Sequence, residues 1–366
     1  MKPPRVDDAV LLALRLYDVA YGIDLDAVER LAAERAPTSR LRFRRARAKS
    51  IDYGTPPVEI ALGTTELTLG VETLRADATA RVFDFGTVSV TLRMGVAARD
   101  WPDFTHLVRE WDTLTRARWQ GWQKRLDHVQ QLIAPALDRP SPPGIEEDYL
   151  ITLVRRFDRP MTADELLASV DMSALLARET QPLSEQAKRE LLRHTYSYYP
   201  ADLAVLTWDH AFILEPADDM EIADVLETAN AQLLEMRHYD AQLDAELPRM
   251  YDRVQGARAG IGSLARRSHA NVARDLHARV AEVTEIAERV DNALIITEDV
   301  YLARIYGAAI ELFRVPTWTA AVNRKLAIMR DTYTALYDEA ATARAEILEA
   351  GILLLIVFEI VMAFLS

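Results

Sequence analysis

The feature that most constrains this fold is a change of pattern near Pro216. Before it, short apolar runs alternate with polar and turn residues, which indicates strands mixed with helices. After it, apolar residues recur four and three apart, a spacing typical of long helices that pack as coiled coils. Because the two patterns require different packing, we predict an α+β region at residues 1–215 and a helical coiled-coil domain at 216–350.

The α+β region contains two similar stretches. In the first, a strand from Val10 to Asp18 precedes a helix capped by Asp24; in the second, the strand DYLITLVRRF precedes a helix with Thr162 and Glu165 as a capping box. Two later stretches, RVFDFGTVSVTL and LAVLTWDHAFIL, also resemble each other, and we interpret each as one strand with a turn-like centre. We therefore predict two pseudo-repeated strand-helix halves, with a ferredoxin-like topology as one candidate. The halves span residues 1–140 and 145–215.

Three heptad seams follow the α+β region. They indicate long helices that pack antiparallel within one chain. The third seam enters the apolar end of the chain without a break, so we expect one helix from about Thr317 to Leu365. The seams run from Ile222 to Val254, from Leu276 to Leu294 and from Val322 to Leu354.

The chain ends in GILLLIVFEIVMAFLS, residues 351–366. The apolar run would span roughly 20 Å as a helix, against about 30 Å of bilayer hydrocarbon, so its length alone favours a buried helix. Its continuity with a long heptad helix favours a short C-terminal tail anchor that self-associates in a membrane. A helix buried in a soluble oligomer is the alternative. The residues assigned to either contact are Glu349, Leu353, Ile356, Glu359 and Ile360.

Three segments resemble the RMD/Sif family (required for meiotic nuclear division; Sad-interacting factor). LLEMRHYDAQLD, VDNALIITEDVYLARIY and ILEAGILLLIVFEIVMAFL occur in the same order as in that family, with Leu348, Glu349 and Glu359 at the positions of its terminal Leu-Glu pair and second Glu. RVFDFGTVSV also resembles its Phe-x-Phe-x-x-Gly strand, through Phe83, Phe85 and Gly86.

This resemblance implies a protein anchored in a membrane by its C-terminus, in a family with no established enzymatic activity. Mitochondrial members are associated with the translation machinery of the inner membrane. Ala350 stands where the family usually has an aromatic residue, and the N-terminal sequence does not look like a targeting peptide, which suits a bacterial-type member. We therefore expect the inner (cytoplasmic) membrane, with the bulk of the protein on its cytoplasmic side.

One strongly basic segment, SRLRFRRARAK, interrupts an otherwise acidic chain with a formal net charge of -13. The net charge argues against general nucleic-acid binding. The segment itself could contact RNA phosphates or anionic lipid headgroups, since guanidinium groups match phosphate geometry. The alternative is a solvated strand or loop that pairs with acidic neighbours. The basic residues are Arg40, Arg42, Arg44, Arg45, Arg47 and Lys49.

Glu235 and His238 form a Glu-x-x-His motif on a predicted helix, the spacing used by carboxylate-bridged di-metal sites. Such a site needs a second copy of the motif, which the sequence does not contain, so we expect no metal and no cofactor. We predict instead that this stretch sets packing and register, with Asp240 on the seam and Arg237, Tyr239 or an Arg of a facing helix as its partner. The register group is Glu235, Arg237, Tyr239 and Asp240.

No motif in the sequence points to catalysis. Cysteine is absent, and no Walker loop, GxGxxG or ordered Ser-His-Asp arrangement occurs. We expect a non-enzymatic, membrane-anchored adaptor or scaffold that self-associates through its helical stalk and tail, with an unidentified protein as partner. The alternatives are an RNA- or ribosome-associated factor at the membrane that uses the basic segment, a soluble oligomer whose C-terminal helix is the assembly interface, and an enzyme in a cleft between the two halves.

Overall fold

The structure is a computed structural model, and it describes most of the chain. The residues described are 3–33, 38–40, 51–52, 55–116, 119–141, 144–177, 181, 183–217, 219–259, 296–297 and 299–365, with isolated positions between 260 and 295. The strands are β1 (Arg5–Asp18), β2 (Ala20–Ile23), β3 (Thr38–Arg40), β4 (Ile51–Asp52), β5 (Val58–Leu69), β6 (Glu72–Val82), β7 (Thr87–Asp100), β8 (Leu137–Pro140), β9 (Glu146–Phe157), β10 (Thr195–Tyr196), β11 (Leu203–Leu206), β12 (His210–Leu214) and β13 (Ile296–Thr297). The helices are α1 (Leu25–Ala33), α2 (Trp101–Arg116), α3 (Gln120–Ile133), α4 (Ala163–Ser169), α5 (Ser173–Leu176), α6 (Glu185–Leu191), α7 (Glu221–Ala259), α8 (Val300–Leu312) and α9 (Val315–Leu365).

A nine-stranded sheet forms the centre of the α+β region, in the order β10-β11-β12-β9-β1-β7-β6-β5-β3. All neighbouring strands are antiparallel except β12 and β9, which are parallel. β1 is buried along most of its length, as its continuous apolar run predicts, and it pairs with both β7 and β9. The α+β class of this region is therefore confirmed.

The two halves meet in this one sheet rather than across a cleft. β1 of the first half pairs directly with β9 of the second half. The neighbour of β1 on its other side is antiparallel, whereas the other neighbour of β9 is parallel. The ferredoxin-like candidate is therefore wrong, because one nine-stranded sheet with a parallel pair takes the place of four-stranded units.

The two stretches that we interpreted as single strands are hairpins. In the first, Phe83 donates its N–H to the carbonyl of Thr87 at 2.9 Å, which closes the turn between β6 and β7. In the second, the N–H of Thr207 donates to the carbonyl of His210 at 2.8 Å, between β11 and β12. Their turn-like centres are real turns, and Gly86 supplies a positive φ of 103° in the first.

The two faces of the sheet differ in chemistry. One face packs against α2 and α3 through large apolar side chains such as Leu11, Phe104 and Trp122. On the other face, strand register aligns polar groups at one end of the sheet, because residues paired directly across strands point to the same side. This polar row is Glu59, Arg81, Ser89, Leu16 and Glu147, with Leu16 as its apolar member.

The chain divides into two compact units. The first comprises residues 1–238 and 289–316, and the second comprises 239–288 and 317–366. In the second unit, Val322, Leu326 and Met329 of the third seam are buried, while the second seam falls largely outside the described residues. The predicted domain limits at 215, 350 and 351 stay predictions.

The expected helix at the end of the chain is observed, since α9 runs continuously from Val315 to Leu365. Within the described residues, however, no helix combines the length and the apolar character needed to cross a bilayer. This finding contradicts three of our expectations: the tail anchor at residues 351–366, the inner-membrane location and the membrane-anchored adaptor.

The turn between β6 and β7 gives a direct test of the fold. A Cβ on Gly86 would lie 1.9 Å from the carbonyl oxygen of Ala20 and would also be strained by the positive φ. We expect Gly86→Ala to lower the free energy of unfolding by roughly 2 to 4 kcal/mol. Urea unfolding of the full chain, followed by circular dichroism, measures this change.

Gly95 is the matched control, because it lies in β7 and a Cβ there meets no atom within 4 Å. Gly95→Ala should leave stability unchanged or raise it by about 0.5 to 1 kcal/mol. Equal effects of the two substitutions would contradict the close approach of Gly86 to Ala20.

Candidate functional site

The first turns of α7 bury an unusual number of polar side chains. Five of them are at most 5% exposed, although a helix of this kind normally buries apolar groups: Glu227, Thr228, Asn230, Gln232 and Glu235. Some are satisfied within the helix, since Thr228 donates to the carbonyl of Asp224 at 2.9 Å and Asn230 to that of Leu226 at 2.8 Å. The buried carboxylates need partners elsewhere, because an unpaired charge is costly away from water.

The strongest of these partners is Arg81 of the polar row. Its guanidinium donates to Asp224 at 2.8 Å, to Glu59 at 3.3 Å and to Glu227. Asp224 and Glu227 are one helical turn apart, so a single guanidinium spans both. Burial raises the pKa of Glu227 and of Asp224, and the nearby Arg81 charge opposes that rise. Arg81 is therefore the cation that opposes the cost of burying these two carboxyl groups.

Further along α7, each polar residue meets a different strand. Thr87 of β7 donates its hydroxyl to Glu235 Oε1 at 2.5 Å, and Arg237 pairs with Glu147 of β9. Tyr306 of α8 donates to Gln232 Oε1 at 2.6 Å. The helix is therefore held by polar contacts to the sheet and to α8.

At the end of β1, Asp18 lies 3.0 Å from His238 Nε2. Burial raises the pKa of Asp18 to about 7 and lowers the pKa of His238 to about 4, because both charged forms lose their hydration. Burial therefore disfavours the charged form of both groups, and the carboxyl and the imidazole lie within hydrogen-bond distance of each other.

We call this set of side chains the α7 polar layer. Its geometry fixes the rotation and the position of α7 along the sheet, because its contacts join successive turns of the helix to β6, β7, β9 and β1. The two members of the Glu-x-x-His motif turn to different strands, and no group of three possible metal ligands occurs among the described residues. The layer consists of Asp18, Glu59, Arg81, Thr87, Ser89, Glu147, Asp224, Glu227, Glu235, Arg237 and His238.

The predicted register residues occupy two places. Glu235 and Arg237 belong to the α7 polar layer, and Tyr239 is buried. Asp240 pairs with Lys325 of α9, whose Nζ lies 2.7 Å from Asp240 Oδ1. We expected Arg237, Tyr239 or a facing Arg as the partner of Asp240, and the structure supplies a facing lysine instead. Lys325 also contacts Asp244 at 2.6 Å.

The other predicted site residues are only partly described. Arg40 ends β3, while Arg42, Arg44, Arg45, Arg47 and Lys49 lie outside the described residues, so phosphate contact by this segment stays a prediction. Leu353, Ile356 and Ile360 are exposed on α9. Glu349 and Glu359 fall within the same helix.

Sequence patterns did not reveal Asp18, Arg81, Thr87 or Asp224 as members of a site. A weak signal did exist: acidic residues at 224, 227 and 235 share a helix with a strongly apolar seam. Hydrophobic periodicity assigns such residues to the solvent side, because it takes no account of a polar partner on another element.

The fold and the α7 polar layer together define an α+β protein whose large sheet carries a buried, polar-faced helix. Residues 8–221 match the family described as Uncharacterized protein MJ0711, N-terminal domain. Because that match covers more than half of the 366 residues, the chain belongs to this family.

A curated relative is Uncharacterized protein MJ0711 of Methanocaldococcus jannaschii, to which the chain is 28% identical over 193 residues. That region is 52% of this chain and 58% of the relative, so the chain spans less than two thirds of the relative's length. No solved structure matches. The resemblance to the RMD/Sif family is wrong, since the family match is to MJ0711 instead.

Removing the Arg81 guanidinium tests the central contact of the layer. We expect Arg81→Met to lower the free energy of unfolding by about 3 to 5 kcal/mol, because Asp224 and Glu227 would be left buried without their cation. Adding Glu227→Gln to this variant should restore part of the loss, which urea unfolding of both proteins would show.

Arg99→Met is the matched control, since Arg99 pairs with the more exposed Glu72 between two strands. That substitution should cost less than about 1 kcal/mol. If Arg81→Met costs no more than Arg99→Met, Arg81 does not hold the layer together.

The pair of Asp18 and His238 predicts opposing pH effects on stability. The raised pKa of Asp18 gives a contribution that is present at low pH and lost as pH rises to about 7. The lowered pKa of His238 gives a contribution that is lost as pH falls from 6.5 toward 4. In Asp18→Asn only the contribution of His238 remains. The free energy of unfolding of this variant, measured relative to that of wild type, should therefore rise by roughly 2 to 4 kcal/mol from pH 4.5 to 8.

His238→Gln removes the other partner and should give the opposite slope, with stability that falls as pH rises toward 7. Unfolding by urea at a series of pH values measures both variants. Parallel pH curves for wild type and the two variants would show that the buried pair does not titrate as described.

Proposed function

We propose that the chain works as a homo-oligomer whose assembly interface is the apolar end of α9. One observation carries this proposal: six large aliphatic side chains near the end of the helix are 50–66% exposed. A contiguous apolar patch of this kind on a protein surface marks an interaction site. The six are Ile352, Leu353, Leu355, Ile356, Ile360 and Met362.

The spacing of these residues supports a second copy of the chain as the partner. Ile352, Ile356 and Ile360 follow one another at four-residue intervals and form a ridge, and Leu353 and Ile360 are seven apart. Ridges of this spacing pack into the grooves of an equivalent helix. A two-fold contact then places the same residues on both sides, which is the commonest symmetry of oligomers.

Leaving these six side chains in water has a free-energy cost that burial in an interface would remove. Full burial of a Leu or Ile side chain contributes about 1.5 to 3 kcal/mol, so burying the exposed half of each contributes roughly 1 kcal/mol. Six such side chains from each copy provide a substantial driving force, part of which offsets the entropy of association.

The finer architecture of the second unit belongs to the same proposal. We propose that α7 and α9 pack there as an antiparallel coiled coil. Val322, Leu326 and Met329 are buried at four- and three-residue intervals on α9, and Lys325 bridges Asp240 and Asp244 of α7. These contacts support a packed helical stalk that presents the end of α9.

The test is the oligomeric state of the full chain. Wild type should sediment as a dimer or larger assembly in analytical ultracentrifugation at micromolar concentration. The triple variant Leu353→Ser, Ile356→Ser and Ile360→Ser should dissociate at least tenfold more readily, because it removes the centre of the apolar face. Circular dichroism should show that the triple variant keeps the helix content and the unfolding behaviour of wild type.

Val71→Ser is the matched control, because Val71 is a fully exposed aliphatic residue in the turn between β5 and β6. It should sediment like wild type. A monomeric wild type, or a triple variant with unchanged dissociation, would refute the proposal.

A further inference from the structure

A second exposed surface lies in the first unit, where a row of aromatic side chains has members near both ends of α8. Tyr198, Tyr199 and Trp208, which belong to the segments around β10 and β11, are 49–62% exposed. Aromatic rings are costly to leave in water, and they dominate the energetics of binding surfaces. Neither packing in the core nor the proposed assembly interface on α9 explains why these rings are exposed.

The planes of these rings stand at steep angles to one another, so the rings do not form a flat patch. The Tyr198 ring lies 4.8 Å from that of Tyr199, at 89°, and 5.6 Å from that of Tyr301, at 45°. At the other end of α8, the Trp208 ring packs 6.2 Å from Phe313. From Tyr301 to Phe313 the helix rises about 18 Å, the length of five or six residues of extended peptide.

Backbone contacts hold these rings in place. Asp202 accepts the N–H of Tyr198 at 2.7 Å and that of Tyr199 at 3.0 Å, which fixes the turn that carries both tyrosines. The hydroxyl of Ser197 donates to the carbonyl of Tyr199 at 2.7 Å. A surface ordered in advance loses little entropy when a ligand binds.

Acidic side chains predominate around Tyr301, at one end of the row. Burial is the main reason why the pKa of Tyr301 lies above its usual range; the charges of Asp202, Glu215 and Asp299 raise it further, and the charge of Arg304 lowers it. These charges favour a cationic ligand at this end of the row. Arg304 itself lies 5.2 Å over the ring of Tyr196, so this surface already holds one cation against an aromatic face.

We propose that this row binds an extended peptide segment of a partner protein that carries lysine or arginine side chains. The cationic groups contact the faces of Tyr198, Tyr199 and Trp208, whose π electrons attract positive charge. The surrounding carboxylates draw the segment to the row and exclude acidic sequences. The row is long enough for two cationic side chains spaced four residues apart, which lie on the same side of an extended chain.

The test is fluorescence anisotropy of the full chain with a labelled hexapeptide, Lys-Ala-Ala-Ala-Lys-Ala, whose two lysines lie on the same side of an extended chain. The same peptide with both lysines acetylated is the neutral control, and it should bind at least tenfold more weakly. Binding of the cationic peptide should weaken as salt is raised, because screening reduces the attraction of the carboxylates.

Matched substitutions separate a cation–π contact from a general apolar contact. Tyr198→Leu with Tyr199→Leu keeps an apolar surface but removes the rings, and it should weaken peptide binding about tenfold. Tyr198→Phe with Tyr199→Phe keeps the rings and should bind like wild type. Tyr251→Leu, at an exposed tyrosine of α7, should also bind like wild type.

Three outcomes would overturn the proposal. The acetylated peptide could bind as tightly as the cationic one, or the double leucine variant could bind like wild type. A single-stranded oligonucleotide of six bases could bind while the cationic peptide does not, which would make the row a base-stacking surface instead.

Discussion

The contact between Arg81 and the carboxylates of α7 is the interaction on which the rest of the first unit depends. A helix with several buried acidic residues can pack on a sheet only where a cation meets them, and the polar row supplies that cation from the end of β6. Once Arg81 spans Asp224 and Glu227, the rotation of α7 is set. The hydroxyl of Thr87 and the carboxyl of Asp18 then meet residues two and three helical turns further on.

Local sequence patterns predicted those strands and helices that depend on residues close together in the sequence. β1 follows from an uninterrupted apolar run, and α9 follows from a heptad seam that continues into an apolar end. The hairpin around Gly86 was missed because its turn residues, Asp84 and Phe85, stand between two strands of nearly equal character, so the run was interpreted as a single strand.

The α7 polar layer could not be predicted in the same way. Arg81 is 146 residues from Glu227 and 143 from Asp224, and no periodicity links positions so far apart. Register also decides which residues share a face, and a shift of one residue would turn Arg81 to the side of α2 and α3. The mistaken family resemblance has a related cause, since it rested mainly on apolar residues that many helices share.

The buried chemistry and the exposed chemistry of this chain serve different purposes. The buried ionisable groups of the α7 polar layer are engaged with one another and position a helix. Two exposed surfaces stand out among the described residues: an aliphatic one at the end of α9 and an aromatic one along α8. They differ in composition, and the partners we propose for them differ accordingly, a second copy for one and a cationic segment for the other.

The outer strands of the sheet have a consequence for how copies of the chain can meet. In the part of the chain that the structure describes, the sheet ends in β10, of two residues, and β3, of three, and β3 covers only the beginning of β5. Beyond it, a bulge between Ala61 and Thr64 and the polar run Thr64, Thr65 and Glu66 interrupt the open edge of β5. Such edges resist strand addition and fibre-like stacking. A protein that hides its strand edges in this way can carry exposed apolar helices without sheet-to-sheet aggregation.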